Sequence, residues 1–121
     1  MMSMNKYLIE GVYKWVCDNL ETPVIAVNIH KSNRLKVPSL RANSEGIIVL
    51  DISNSAVNNL VINTTGIEFQ GLSNGKLVDV YIPIESVVSV FSFESKQGLQ
   101  LPDISNSSQN ETSSPMLRLV Q

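Results

Sequence analysis

Two side chains able to do covalent or metal chemistry at neutral pH occur once each in this sequence, the thiol of Cys17 and the imidazole of His30. A cysteine–histidine nucleophile needs hydrogen-bond contact and a third orienting group, and a zinc site needs three or four nitrogen and sulfur ligands at set spacing. Neither set is complete. The acidic residues are scattered singly, without the Asp-x-Asp-x-Asp run of a calcium loop, and the six glycines form neither a phosphate-cradling loop nor a dinucleotide fingerprint. The expectation is a protein with no catalytic group, no metal and no cofactor. Cys17 then reads as a small core hydrophobe and His30 as a solvated strand terminus. Asn63-Thr64-Thr65, Asn106-Ser107-Ser108 and Asn110-Glu111-Thr112 match the glycosylation acceptor pattern, which has no consequence without export.

What remains is binding chemistry. Ser53-Asn54-Ser55-Ala56-Val57-Asn58-Asn59 puts small side chains and amides directly after a strongly apolar run. Small residues beside a strand edge leave room for an extended peptide held by backbone hydrogen bonds and shallow apolar pockets. The same composition also suits an ordinary turn with asparagine caps. Charge narrows the partners: nine basic against eleven acidic residues give a net charge of -2, so nucleic acid and anionic membrane find no electrostatic footprint. The apolar runs fall short of the roughly 20 residues that span a bilayer, a single cysteine excludes an internal disulfide, and the amino terminus does not read as a signal peptide. A reducing cytoplasm follows by elimination.

The elements that position these residues follow from periodicity. Tyr7, Leu8, Ile9, Val12, Tyr13, Trp15, Val16, Cys17 and Leu20 fall at helical spacing. They cover an arc of roughly 200°, twice the width of about 100° that one core face requires. One face then meets the domain and the other a second copy of the helix, with Leu8, Val12, Trp15 and Val16 as the dimer contacts; the alternative is a helix sunk deeply into a single core, Trp15 with it. Thr22-Pro23 ends the helix. Strands are expected at residues 24–30, 47–52, 60–62, 67–72, 77–82 and 87–94, with a tight hairpin at Asn74-Gly75 and one helical turn at Pro83-Ile84-Glu85-Ser86. Residues 31–45 read as a polar connection, and Phe91 and Phe93 as core. The fold class is α+β: one helix, then a strongly bent antiparallel sheet of about six strands that must curl or pack on the helix. Residues 1–103 form the domain. Residues 104–115 are too polar to bury anything and read as a flexible, disordered tether. Residues 116–121, Met-Leu-Arg-Leu-Val-Gln, are an apolar cluster stranded beyond it, a placement that asks for a partner.

Taken in order, Tyr7-Leu8, Tyr13-Lys14-Trp15, Asp18-Asn19, Thr22-Pro23, Val37-Pro38, Gly46-Ile47-Ile48-Val49-Leu50-Asp51-Ile52, Ala56-Val57-Asn58-Asn59-Leu60, Ile67-Glu68-Phe69 and Val80-Tyr81-Ile82-Pro83 with Val87 resemble the stringent starvation protein B (SspB) family. Leu117-Arg118-Leu119-Val120-Gln121 is similar to that family's carboxy-terminal tail motif. The resemblance implies a cytoplasmic proteolysis adaptor, not an enzyme. Such an adaptor grips the ssrA degradation tag of polypeptides from stalled ribosomes and delivers them to the ClpX unfoldase of ClpXP. It further implies an Sm-like sheet, a homodimer through the amino-terminal helix, and weak ribosome association. By position, the tag groove falls on Ile48, Leu50, Ile52, Ser53, Ser55, Ala56, Val57, Phe69 and Gly71, and the ClpX contact on Leu117, Arg118, Leu119 and Val120. The zinc in that contact belongs to the partner. An Sm-like RNA-binding module or a structural dimeric module are the alternative readings. The chain departs from the family pattern at Leu72-Ser73, at Phe91-Ser92-Phe93-Glu94-Ser95-Lys96, and in its tether. Its length allows about 20 Å as a coil and roughly 40 Å at full stretch.

Overall fold

The computed structural model describes residues 4–36, 43–73 and 75–102. Helix α1 (Asn5–Asp18) is followed by strands β1 (Pro23–Asn28), β2 (Ile47–Asp51), β3 (Asn58–Ile62), β4 (Gly66–Ser73) and β5 (Lys76–Pro83). A 3₁₀ turn at Ile84–Ser86 then leads to β6 (Val87–Ser92) and β7 (Gly98–Gln100). The α+β class and the one-helix order expected from periodicity are therefore found.

Asn5, Ile9 and Val16 are the buried residues of α1, while Leu8, Val12 and Tyr13 pack against the core from its flank. Ion pairs Lys6–Glu10 at 3.2 Å and Lys14–Asp18 at 3.4 Å line the helix surface, each contributing only a few tenths of a kcal/mol, ~0.3–0.5. The helix ends in a Schellman turn: the Leu20 N–H donates to the Cys17 carbonyl at 2.9 Å and the Glu21 N–H to that of Val16 at 3.1 Å. This geometry puts Leu20, a residue with a Cβ, at φ +60°.

The strands form two antiparallel sheets, one in the order β2-β1-β6-β7 and the other β3-β4-β5. Strand β1 is central in the first, and Val24, Ile25, Ala26 and Val27 are all buried. Periodicity predicts only alternate residues inside; a central strand with α1 packed on its sheet is covered on both faces. The β4–β5 hairpin runs in unbroken register from Gly66↔Pro83 to Ser73↔Lys76. Gly75, at φ +82°, takes the left-handed conformation that the two-residue turn requires; Asn74 lies outside the described residues. Ile9, Ile25, Ile52, Ile67, Ile82 and Val90 are fully buried in one cluster that draws on α1 and both sheets, so the two sheets share a single core.

Three features differ from expectation. Strand β7 is additional, bringing the strands among the described residues to seven. Its alternation is too short to register in sequence. Phe93 lies beyond the end of β6 and is 56% exposed, under the ammonium of Lys96 at 4.3 Å, so it is not core. The polar connection after β1 is not wholly loose: the Lys36 N–H donates to the Tyr81 carbonyl at 2.8 Å, and the Tyr81 N–H to the Lys36 carbonyl at 3.0 Å, adding one residue to the edge of β5. Val37 and Pro38 are outside the described residues. Among the described residues, no helix is long and apolar enough to cross a membrane.

Candidate functional site

Strands β2 and β3 are consecutive in the chain, yet each pairs with a different neighbour, β2 with β1 and β3 with β4. Both are therefore terminal strands of their sheets, and residues 52–57 form the break between them. The break is built by short-range hydrogen bonds. Asp51 Oδ1 accepts the Ser53 N–H at 2.9 Å, and the Ser53 carbonyl accepts from the Ala56 and Val57 N–H groups at 3.0 and 3.1 Å. The Ser53 and Ser55 hydroxyls lie 3.2 Å apart. This is an Asx-type turn, but it is capped by Asp51 and not by an asparagine of the segment; Asn54 Oδ1 accepts from the Tyr13 hydroxyl instead.

The turn has consequences for the sheet edges. The ladder between β3 and β4 stops at Asn58↔Gln70, whereas β4 continues paired to β5 as far as Ser73. On the side away from β5, Gly71 and Leu72 consequently have no strand partner among the described residues. The outer edge of β2 has none either. Unpaired edges are where an extended peptide can add backbone hydrogen bonds.

The nine residues assigned to a tag groove fall into two layers. Ile48, Ile52, Val57 and Phe69 are buried together in the core cluster, and Leu50 packs against it; they underlie the site. Ser53 and Gly71 are half-buried, while Ser55 and Ala56 are exposed on the turn. A guest would thus meet the turn and the strand edges, with the buried side chains as their foundation. The apolar side chains accessible nearby are ones that the positional assignment omits: Val49 on β2, 51% exposed, and Leu72 on β4, 72% exposed.

Two grooves adjoin this region. One of about 340 Å³ lies between α1 and the turn, lined by Glu10, Tyr13, Asn54, Leu60 and Ile62. The Tyr13 hydroxyl donates to Asn54 Oδ1 at 3.3 Å across it. Burial, with the Cys17 thiol nearby, pushes the Tyr13 phenol above its ordinary value. The other, of about 470 Å³, lies on the three-stranded sheet, with Asn59, Val61, Gln70, Asp79 and Tyr81 among its lining residues and Phe69 also reaching it. There Asn59 Nδ2 donates to Gln70 Oε1 at 3.1 Å, and Gln70 Nε2 donates to Asp79 Oδ1 at 3.3 Å. Asn59 sits at φ +57°, where the β3–β4 register shifts. Asparagine's tolerance of that conformation is a readable signal in the Asn58-Asn59 pair; the partners of Gln70 are not readable, because they depend on register.

Cys17 is half-buried on α1, and His30 is exposed beyond β1. Among the described residues no three His, Cys, Asp or Glu side chains are grouped to hold a metal ion. Of the helix residues read as dimer contacts, Val16 is fully buried within the single chain and Leu8 and Val12 are half-buried, leaving Trp15 at 43% exposure. Tyr7 and Gly11 share its exposed side of the helix. Leu117, Arg118, Leu119 and Val120 lie outside the described residues, as do the tether residues 104–115.

Comparison with known proteins bears on this arrangement. A family model described as stringent starvation protein B matches residues 3–118. The stringent starvation protein B homolog of Haemophilus influenzae is 30% identical over 93 residues, which make up 77% of this chain. The match spans 61% of that relative's own length. Because that family model matches well over half of the sequence, the chain belongs to the stringent starvation protein B family.

Proposed function

We propose that this protein is a cytoplasmic, non-catalytic adaptor that holds the ssrA tag of an incompletely made polypeptide and brings it to the ClpX unfoldase. The observation that carries this reading is the break in the sheet at residues 52–57, which leaves the outer edge of β2 and the end of β4 without strand partners among the described residues. Backbone pairing at such edges supplies affinity that depends little on side chains, and the small residues Ser53, Ser55 and Ala56 admit a guest. Family membership favours the tag as the guest. On this reading Leu117, Arg118, Leu119 and Val120 engage ClpX, the aliphatic groups filling a groove while the cation orients the segment.

A tether joining two weak contacts makes the second intramolecular, at an effective concentration on the order of millimolar. Two molecules would assemble through α1, whose outward side carries Tyr7, Gly11 and Trp15 although its other side is already buried. The test is fluorescence anisotropy of a labelled ssrA peptide titrated with the purified protein, followed by degradation of a tagged substrate by ClpXP. Saturable binding, together with loss of accelerated degradation but unchanged binding when residues 116–121 are deleted, supports the reading. Absence of peptide binding overturns it.

A further inference from the structure

Strand β7 is the open end of the four-stranded sheet, and each of its three residues is exposed. Its pairing with β6 places Leu99 opposite Val90 and Gly98 opposite Phe91. The next bond, from the Leu101 N–H to the Val88 carbonyl at 2.8 Å, continues that ladder. Antiparallel pairing alternates, so if Leu99 and Leu101 face β6, the backbone groups of Gly98 and Gln100 face away from it. Among the described residues no strand pairs with that edge. Beside it lies a groove of about 310 Å³ lined by Ser89, Phe91, Lys96, Gly98, Leu99 and Gln100. A Cβ on Gly98 would collide with the Val90 carbonyl oxygen. The absence of a side chain at this position is therefore a condition of β7 packing on β6, and it leaves the flank of Phe91 uncovered.

We infer that residues 116–121 of the same chain dock as a further antiparallel strand on the outer edge of β7, with an aliphatic side chain of the segment seated in the groove beside Phe91 and Leu99. Three considerations favour this occupant. The segment Met-Leu-Arg-Leu-Val-Gln has Leu117 and Leu119 on one face of an extended chain. Thirteen residues, 103–115, separate it from Pro102, and the main chain leaves the sheet there, directly after β7 and Leu101. That length is ample for a return antiparallel to β7, and the closure adds an effective concentration on the order of millimolar. A second copy pairing through β7 lacks that advantage. Two three-residue strands bury far less than the roughly 1,200 Å² of a stable interface.

The docked segment is sheathed, and any partner of Leu117–Val120 must compete with β7 for it. The inference does not rest on the adaptor reading, and its test uses neither tag nor unfoldase. Amide hydrogen exchange is measured by NMR on the full chain, on the Leu117→Asp/Leu119→Asp variant, and on the chain lacking residues 116–121. The expected result is exchange at Gly98 and Gln100 about fivefold slower in the full chain than in both variants, with Ile25 and Val90 unchanged. Equal rates in all three proteins overturn the inference. So does protection that survives in both variants and rises with protein concentration, because a second copy would then cover the edge.

Discussion

The side-chain amide of Asn5 donates to the carbonyl of Pro102 at 3.2 Å, joining the first turn of α1 to the last described residue of the chain. Asn5 is 1% exposed. The bond holds Pro102 next to the helix whose outward side is the proposed dimer surface. An Asn5→Ala substitution removes that donor from a buried position, and the expected destabilisation is about 0.5–1.5 kcal/mol by urea denaturation. An unchanged denaturation midpoint would show that Pro102 is held by Leu101 alone.

Ala56 is exposed on the turn between β2 and β3 and donates its N–H to the Ser53 carbonyl. Ala56→Arg retains that bond while adding bulk and charge where the proposed guest would lie. Tag affinity measured by anisotropy should fall about tenfold or more, equivalent to ~1.4 kcal/mol, with the melting temperature unchanged. Undiminished affinity would move the peptide site away from this turn.

A substitution at Gly11 tests the proposed dimer without disturbing the fold. Nothing lies within 4 Å of a Cβ placed there, and replacing a helical glycine by arginine strengthens the isolated helix by about 0.5–1 kcal/mol. Gly11→Arg should therefore give a folded, slightly more stable protomer that sediments as a monomer. Sedimentation as a dimer would rule out the outward side of α1 as the contact.

Glu94 ties the end of β6 to the α1–β1 connection. Its carboxylate accepts the Thr22 N–H at 2.8 Å and the Thr22 hydroxyl at 2.7 Å. These two bonds, the backbone one first, hold the carboxyl below its ordinary value. A group depressed by folding stabilises the fold fully above its unfolded pKa of about 4.3, and that contribution is lost as the pH falls through the folded value. The stability difference between the parent protein and Glu94→Gln should be constant from pH 7 to about 5 and close at lower pH. A gap independent of pH would mean that the two hydrogen bonds do not distinguish the charged from the neutral carboxyl.

Leu20 is 93% exposed and held at φ +60° by the Schellman turn. Glycine relieves the clash of the Cβ, worth about 1–2 kcal/mol, and gives back part of this in unfolded-chain entropy. Leu20→Gly is expected to raise the melting temperature by about 2–4 °C. A lowered melting temperature would reveal that the Leu20 side chain is covered in the assembled protein.

Much of this protein is legible in its residues because local physics governs it. The spacing from Tyr7 to Leu20 specifies α1, Thr22-Pro23 its end, and Asn74-Gly75 the β4–β5 hairpin, since each depends on backbone torsions and periodicity within a few residues. The turn at Ser53-Asn54-Ser55-Ala56 is visible for the same reason. Its role as a break is not. That β2 pairs with β1 while β3 pairs with β4 depends on which strands meet, a choice made by mutual burial of residues far apart in the chain. The same holds for Ile48, Ile52, Val57 and Phe69, whose place beneath the candidate groove is set by the shared core of two sheets.

Which segments are helical or extended, and which tight turns join them, is thus written in the order of the residues, because those preferences act between near neighbours. That β7 exists as an edge, that Phe93 is outside, and that Lys36 joins Tyr81 are decided by the folded chain. The edge strand and the Lys36–Tyr81 bridge are pairings of distant groups, whose free energy becomes available only once the intervening chain has been closed into a loop. Phe93, whose N–H still bonds the Thr22 carbonyl at 2.9 Å, is exposed according to which distant segments pack over the end of β6.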